Sequence, residues 1–332
     1  MPLPETFKAL RVTDDSGQTT RAIVQHPSTQ MPEGDLIVKV SHSALNYKDA
    51  LSATGNRGVT RKYPHTPGID AAGTVVSDDS GRFKPGDAVI VTSYDLGMNT
   101  DGGFGEYIRV PAAWAVPMPE GMDARSAMIY GTAGFTAGLA LFKMERIGQT
   151  PEMGPIVVTG ASGGVGSMAV AILAKAGYEV IASTGKDSEH KYLKQLGASQ
   201  IEPRAFVDDE SGRPLLRSKW AGAIDTVGGN TLATLLKACN REGSVAVCGL
   251  VASPKLDSTV FPFILNGVNM LGVESATCAM EVRQQVWDSL ASKWAVDELE
   301  LIAHDCTLEQ IHETYIDEIL AGRTRGRMVV SL

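Results

Sequence analysis

The chain has 332 residues, 43% of them hydrophobic and 20% charged, with 35 glycines spread along its length rather than gathered in one tract. That length suits two domains with cores of their own and exceeds one typical compact domain. A formal net charge of −8 argues against a nucleic-acid backbone as the main partner, because phosphate binding needs a basic face; a local basic patch for a small phosphorylated ligand is still compatible with it.

The amino-terminal stretch MPLPETFKALRV has no apolar secretory core, so the expected location is cytoplasmic. Residues 1–125 read as β-rich. LIVKVSHSAL (36–45), AAGTVVS (71–77) and DAVIVTS (87–93) are short runs of β-branched residues, separated by PEG (32–34), KPGD (84–87) and DGGFG (101–105). The pattern predicts an irregular, partly open barrel. The uncharged run SAMIYGTAGFTAGLALF (126–142) is 17 residues long, short for a bilayer, and its glycines suit close packing inside a protein.

From about residue 128, strands and helices alternate. PIVVTG (155–160) reads as a strand and GGVGSMAVAILAKAGY (163–178) as a helix, its apolar face running Val165, Met168, Ala169, Ile172, Leu173, Ala176. YEVIAST (178–184), KYLKQLGA (191–198), WAGAIDTVGG (220–229), GSVAVCGLV (243–251) and GVNMLGVES (267–275) continue the alternation. This predicts a Rossmann-type, doubly wound parallel sheet over 128–275. The β-rich domain is assigned to 1–127 and 276–332, the latter with two helical stretches and a final strand, RMVVSL, returning to the first domain. Cys239, Cys248, Cys278 and Cys306 show no paired spacing and read as reduced thiols.

The segment ASGGVG (161–166) has the spacing of a dinucleotide fingerprint, with Ala161 in the first position. A strand before it and a helix after it would aim free backbone N–H groups at a pyrophosphate, which makes Ser162, Gly163, Gly164, Val165 and Gly166 candidate cofactor contacts. A site for NAD places an acid at the end of the second strand. This chain has Ser183, Thr184, Gly185 and Lys186 there, with Arg204 in the following loop, a set suited to a 2′-phosphate and hence to NADPH. The alternative for Lys186 is a solvated loop.

With the β-rich first domain, this cofactor domain resembles the medium-chain dehydrogenase/reductase superfamily, whose first domain is GroES-like. Zinc members carry a Cys in the segment that here reads ALNYKDAL, a Gly-His-Glu where this chain has Gly68-Ile69-Asp70, and a four-Cys loop, whereas 94–110 holds no Cys. The expectation is therefore no catalytic or structural zinc. LNYKDAL (45–51), GTAGFTA (131–137) and TGASGGVG (159–166) most resemble the zinc-independent, NADPH-dependent acrylyl-CoA reductase subfamily. That resemblance implies Tyr47 beside the nicotinamide, and Leu250, Ile264 and Ser275 against its nicotinamide half. It also implies a homodimer formed by sheet edges of the cofactor domain.

The implied reaction is reduction of acryloyl-CoA to propanoyl-CoA, by hydride transfer to the β-carbon of the thioester-conjugated double bond. Tyr47 is the candidate catalytic side chain, either as a hydrogen-bond donor or only as a packed ring. Asn46 and Asp49 are read as fixing the local turn, and Asp70 as structural or ion-paired. A CoA substrate brings phosphates, and Arg57, Arg61 and Lys62 in NRGVTRKYPH are candidate contacts. Arg323, Arg325 and Arg327 in GRTRGR form a second cluster, with Arg323 counted among the cofactor-binding residues. Each cluster has the blander reading of a solvated face. His42 and His65 read as loop or core residues. Two rival functions remain: an NADPH:quinone oxidoreductase on the same scaffold, and a non-catalytic NADPH-binding protein.

Overall fold

The computed structural model describes residues 3–15 and 17–332. They form two compact units, one extending to Thr132 and including Ala276–Gln285 and Ala303–Leu332, the other Ala133–Ser275 with Val286–Ile302. The carboxyl-terminal stretch is thus shared between the two.

The first unit opens with a hairpin, β1 (Thr6–Asp15) and β2 (Gln18–Pro27), and continues with β3 (Leu36–Ala44) and a short helix α1 (Tyr47–Ala53). β4 (Asp70–Asp78), β5 (Ala88–Thr92), β6 (Tyr107–Val110) and β7 (Ala115–Pro117) follow. On β3 the inward residues Leu36, Val38 and Val40 are buried against Val75, Val89 and Ile108, the period-2 pattern of a strand with one face on a core. The helix α2 (Ala124–Arg146) covers the uncharged 126–142 run, and it bends at Gly131 (φ 49°, ψ −156°). No helix among the described residues is long and apolar enough to cross a membrane.

In the second unit, β8 (Ile156–Val158) leads through a turn into α3 (Gly164–Lys175), and β9 (Val180–Ser183) leads to α4 (His190–Gln195). β10 (Gln200–Glu202), β11 (Trp220–Asp225), α5 (Gly229–Lys237), β12 (Cys239–Val247), α6 (Phe261–Asn266) and β13 (Asn269–Gly272) complete it. The sheet is parallel throughout, in the order β10-β9-β8-β11-β12-β13, which is the doubly wound arrangement. All six residues of β11 are buried, as expected for a central strand covered on both faces. Helix α3 stops three residues before its predicted end because Gly177, with φ +88°, turns the chain left-handed. β11 ends at Asp225 rather than running on, since that side chain captures the N–H groups of Val227 and Gly228.

After α7 (Met280–Leu290), the strands β14 (Ala303–Thr307) and β15 (Arg327–Ser331) rejoin the first unit, with a helical stretch over 308–320 between them. β15 pairs antiparallel with β3, so the last strand returns as the sequence suggests. The seven-stranded sheet runs β14-β15-β3-β4-β5-β7. β6 joins β3 over residues 36–39, while β15 uses residues 42–44. β14 and β7 remain edges, so the barrel stays open.

Candidate cofactor-binding turn and Tyr47 segment

The turn between β8 and α3 is built on close backbone approach. A Cβ on Gly166 would lie 2.2 Å from the carbonyl oxygen of Gly160, so only glycine lets the first turn of α3 rest on the turn below it. Gly160 itself is left-handed (φ +57°), and a Cβ there would meet the Thr226 hydroxyl at 2.4 Å. Gly163 caps the helix with no side-chain hydrogen bond, and the first turn carries no acid. No side chain therefore caps the first-turn N–H groups and no acid opposes an anion at the positive end of the helix dipole.

Thr159, Asp225 and Thr226 brace this turn, and sequence reading noted them only as parts of motifs. The Asp225 carboxylate accepts from the Thr159 hydroxyl (2.7 Å) and from the N–H groups of Val227 (3.1 Å) and Gly228 (2.9 Å). Thr226 donates its N–H to the Thr159 hydroxyl oxygen (2.9 Å) and its hydroxyl to the Thr159 carbonyl (3.0 Å). Burial pushes the Asp225 carboxyl above the ordinary range.

The end of β9 meets the same turn. The Ala161 N–H donates to the Ser183 carbonyl (3.1 Å), and the hydroxyls of Ser162 and Thr184 stand 3.4 Å apart. Ser183 and Thr184 are buried, and the Thr184 hydroxyl oxygen accepts the Lys186 N–H (3.2 Å). The exposed Arg204 side chain lies across Gly185, where a Cβ would come within 2.8 Å of its Nε. Ser162, Thr184, Gly185, Lys186 and Arg204 are thus gathered at one end of the sheet. Leu250 and Ile264 are 63% and 68% exposed, and the Ser275 hydroxyl accepts from Thr136 (2.9 Å).

In the first unit, Tyr47 opens α1 and is 49% exposed, and its hydroxyl has no hydrogen-bond partner among the described residues. Asn46, just before it, is buried. Asn46 Nδ2 donates to Asp70 Oδ2 (2.8 Å), and Oδ1 accepts from Arg327 Nη1 (2.9 Å). Asp70 and Arg327 form a buried ion pair at 3.1 Å. Asp70 also accepts the Thr132 N–H (2.9 and 3.0 Å) and hydroxyl (2.6 Å), so a carboxylate caps the part of α2 that starts after the bend. Asp49 accepts the N–H groups of Asn46 (2.7 Å) and Ile69 (2.8 Å), the turn-fixing role read from sequence. Burial, with the Asp70 charge second, pushes the Asp49 carboxyl up to about 7.

The basic clusters divide. Arg57 is ion-paired with Asp14 and lies 4.8 Å from the Tyr63 ring centre, while Arg61 and Lys62 are exposed. GRTRGR is not one basic surface: Arg323 makes a two-pronged pair with Glu318 (2.9 Å each), and Arg327 starts β15 and points inward. Arg327 alone of the pair lies on a strand, and its burial there separates it from the exposed Arg323. His65 is buried with Nε2 2.6 Å from the Ser52 hydroxyl oxygen, and burial pulls it down to about 4, fitting a core residue.

An open β-rich unit joined to a doubly wound unit with a glycine turn defines a two-domain, nucleotide-dependent oxidoreductase class. Residues 32–120 match the family of the alcohol dehydrogenase GroES-like domain, and residues 164–292 match the zinc-binding dehydrogenase family. The acrylyl-CoA reductase AcuI of Ruegeria pomeroyi is 45% identical over 98% of this chain and 99% of its own. Bacillus subtilis YhfP, named as a quinone oxidoreductase, is 43% identical over 98% of this chain and 99% of its own. The crystal structure of YhfP with NAD bound superposes with a TM-score of 0.97, covering 99% of this chain and 100% of that one. The yhdH oxidoreductase of Salmonella enterica, in complex with NADP, is 42% identical with a TM-score of 0.95, covering 98% of this chain and 99% of that one. The chain belongs to the medium-chain dehydrogenase/reductase superfamily, in the acrylyl-CoA reductase group that its AcuI relatives represent.

Proposed function

We propose that the chain is an NADPH-dependent 2-enoyl-CoA reductase whose leading substrate is acryloyl-CoA. The observation that carries the cofactor choice is the end of β9. Two hydroxyls, a lysine and an arginine lying across Gly185 stand there beside the glycine turn, where an NAD site would hold an acid. Ser162, Gly163, Gly164, Val165 and Gly166 would hold the pyrophosphate. Ser183, Thr184, Gly185, Lys186 and Arg204 would hold the 2′-phosphate. Leu250, Ile264 and Ser275 are assigned to the nicotinamide half. Arg323, engaged with Glu318, would have to exchange that partner to join the cofactor set.

When bound, the reduced nicotinamide supplies a hydride to the β-carbon of the alkene. The α-carbon then takes a proton from water or a nearby donor, giving propanoyl-CoA. Tyr47 is assigned a role beside the reacting ring, as the resemblance implies. Arg61 and Lys62 are the better-disposed candidates for the CoA phosphates, since Arg57 already pairs with Asp14. The residues present do not fit a catalytic zinc: Asn46 is bonded to Asp70 and Arg327, Ile69 is apolar, and neither is a zinc ligand. Most large apolar side chains exposed on the described residues lie between 250 and 270, around the edge strand β13, which supports a homodimer closed there. A cytoplasmic location completes the reading.

The rate of NADPH consumption with acryloyl-CoA, with a simple quinone, and with NADH in place of NADPH tests the proposal. Fast thioester reduction with NADPH preferred supports it. The quinone-reductase reading has YhfP in its favour, and turnover with the quinone alone would replace the substrate. Lys186→Glu should weaken NADPH by about tenfold or more and NADH far less, the size expected for exchanging a charge-assisted hydrogen bond for repulsion. Equal effects on both cofactors in a binding titration would remove Lys186 from the phosphate site.

A further inference from the structure

We propose that Asn46, Asp70 and Arg327 form a positioning network for Tyr47, in which a buried ion pair bridged by one amide fixes where the tyrosine ring leaves the surface. The inference rests on the reading of Tyr47 as a site residue and goes beyond it by assigning what holds that residue in place.

Tyr47 is not held by its own side chain, because its hydroxyl bonds to none of the described residues and half the residue is exposed. Nor does α1 hold itself: seven residues are too few for a stable isolated helix. The backbone leading into it is fastened instead. The Leu45 N–H donates to the Met328 carbonyl (3.0 Å), and the Leu45 carbonyl accepts from Arg327 Nη1 (3.1 Å). The Asn46 N–H goes to Asp49, and Asn46 Nδ2 reaches back to the Ala44 carbonyl (3.2 Å) as well as to Asp70. Apart from the Asn46–Ala44 bond and the first turn of α1 itself, these ties run to β15, to the ion pair or to a local carboxylate.

The choice of asparagine is chemically specific. One amide donates to a carboxylate and accepts from a guanidinium at the same time, and no charged side chain of that size does both. Aspartate would add a third negative charge beside Asp70 and Asp49. Alanine would leave the direct Arg327–Asp70 contact in place and remove only the bridge.

An independent observation comes from α2. A Cβ on Gly131 would lie 2.4 Å from Asp70 Oδ2 and 2.6 Å from Arg327 Nη2, and Gly131 is the residue at which the helix bends. The neighbouring helix is shaped around the network. A buried ion pair returns little net stability after its desolvation cost, and what this one supplies is placement of the backbone it touches.

The test is a cycle of Asn46→Ala, Tyr47→Ala and the double variant in the full chain, using NADPH and an acceptor that the wild type reduces. Asn46→Ala should lower kcat by about tenfold, the scale set by loss of orientation, while KM for NADPH stays within about twofold. In the Tyr47→Ala background the Asn46 substitution should have no further effect on kcat. A full loss persisting in that background, or no loss from Asn46→Ala alone, overturns the network. If the wild type reduces none of the acceptors, the proposed function fails and the network is judged without turnover. The NMR signal of Tyr47 in 13C-tyrosine-labelled protein, assigned with Tyr47→Phe, should shift or broaden in Asn46→Ala while those of the other tyrosines stay. An unmoved Tyr47 signal, or equal movement of all of them, overturns the proposal.

Discussion

The turn at 159–163 and the segment at 44–49 each present a small element at the surface, and each is fastened from below by different means. Under the turn the fastening is close-packed backbone and neutral hydroxyls. Gly166 rests on Gly160, Gly249 admits the Thr226 backbone within 2.2 Å of where a Cβ would stand, and Thr159 and Thr226 bond twice. The one acid there, Asp225, is surrounded by three donors and has its ionised form disfavoured by burial. Under Tyr47 the fastening is ionic, with Asp70 and Arg327 bridged by Asn46 and with Asp49 nearby. The difference follows from what each surface would meet. On the proposed reading of the turn as a phosphate site, a full negative charge beneath it would oppose the ligand, and a scaffold of dipoles and glycine avoids that. An aromatic ring tolerates charge below it, so an ion pair can set its position.

The largest break in this comparison should come from Gly131→Ala. The added methyl meets both partners of the ion pair at a left-handed backbone position, and disrupting a buried pair costs about 3–5 kcal/mol. Denaturant unfolding measures it, and a cost near that of an exposed Gly→Ala change would show that the pair tolerates displacement. A smaller effect separates the two scaffolds by pH. The Asp49 carboxyl, raised to about 7 in the fold, favours its neutral form there, so its contribution is complete below the unfolded value near 3.8 and is lost as pH rises through 7. Between pH 5 and 7.5 that loss is on the order of 2 kcal/mol, and Asp49→Asn should flatten it. An unaltered slope in that variant would place the titration elsewhere. The smallest effect is expected for Asp225→Asn, which keeps the shape but turns an amide donor toward one of three N–H or O–H donors. About 1–2 kcal/mol of stability should go, with NADPH binding weakened alongside. Calorimetric titration showing lost stability with unchanged affinity would detach Asp225 from the turn.

The glycine turn was legible because its requirement is local: spacing, a strand before and a helix after are all written within thirty residues. The open sheet and the parallel order were legible from periodicity, and so was the return of RMVVSL. The ionic scaffold was not. Asn46 and Asp49 read as turn residues, and both are, but Asn46 also bonds to Arg327, which lies 281 residues away. Arg327 looked like the third member of a surface run, and only the register of β15 turns it inward. A sequence signal did exist, since an arginine at the head of an apolar strand can be read as inward-facing by counting in twos from Val329. The 250–270 region was illegible in another way, since the exposure of its apolar side chains goes with the edge position of β13, which periodicity does not give.

The contact between Asp70 and Arg327 spans 257 positions of the chain. At the roughly 5–20 residues per second of protein synthesis, the Asp70 carboxylate waits some tens of seconds for its cation. Until then it must stay hydrated, and the open sheet cannot close over it. The nucleotide-binding unit, whose residues end at Ile302, is by then entirely made. The half of the molecule that begins first is the half that finishes last.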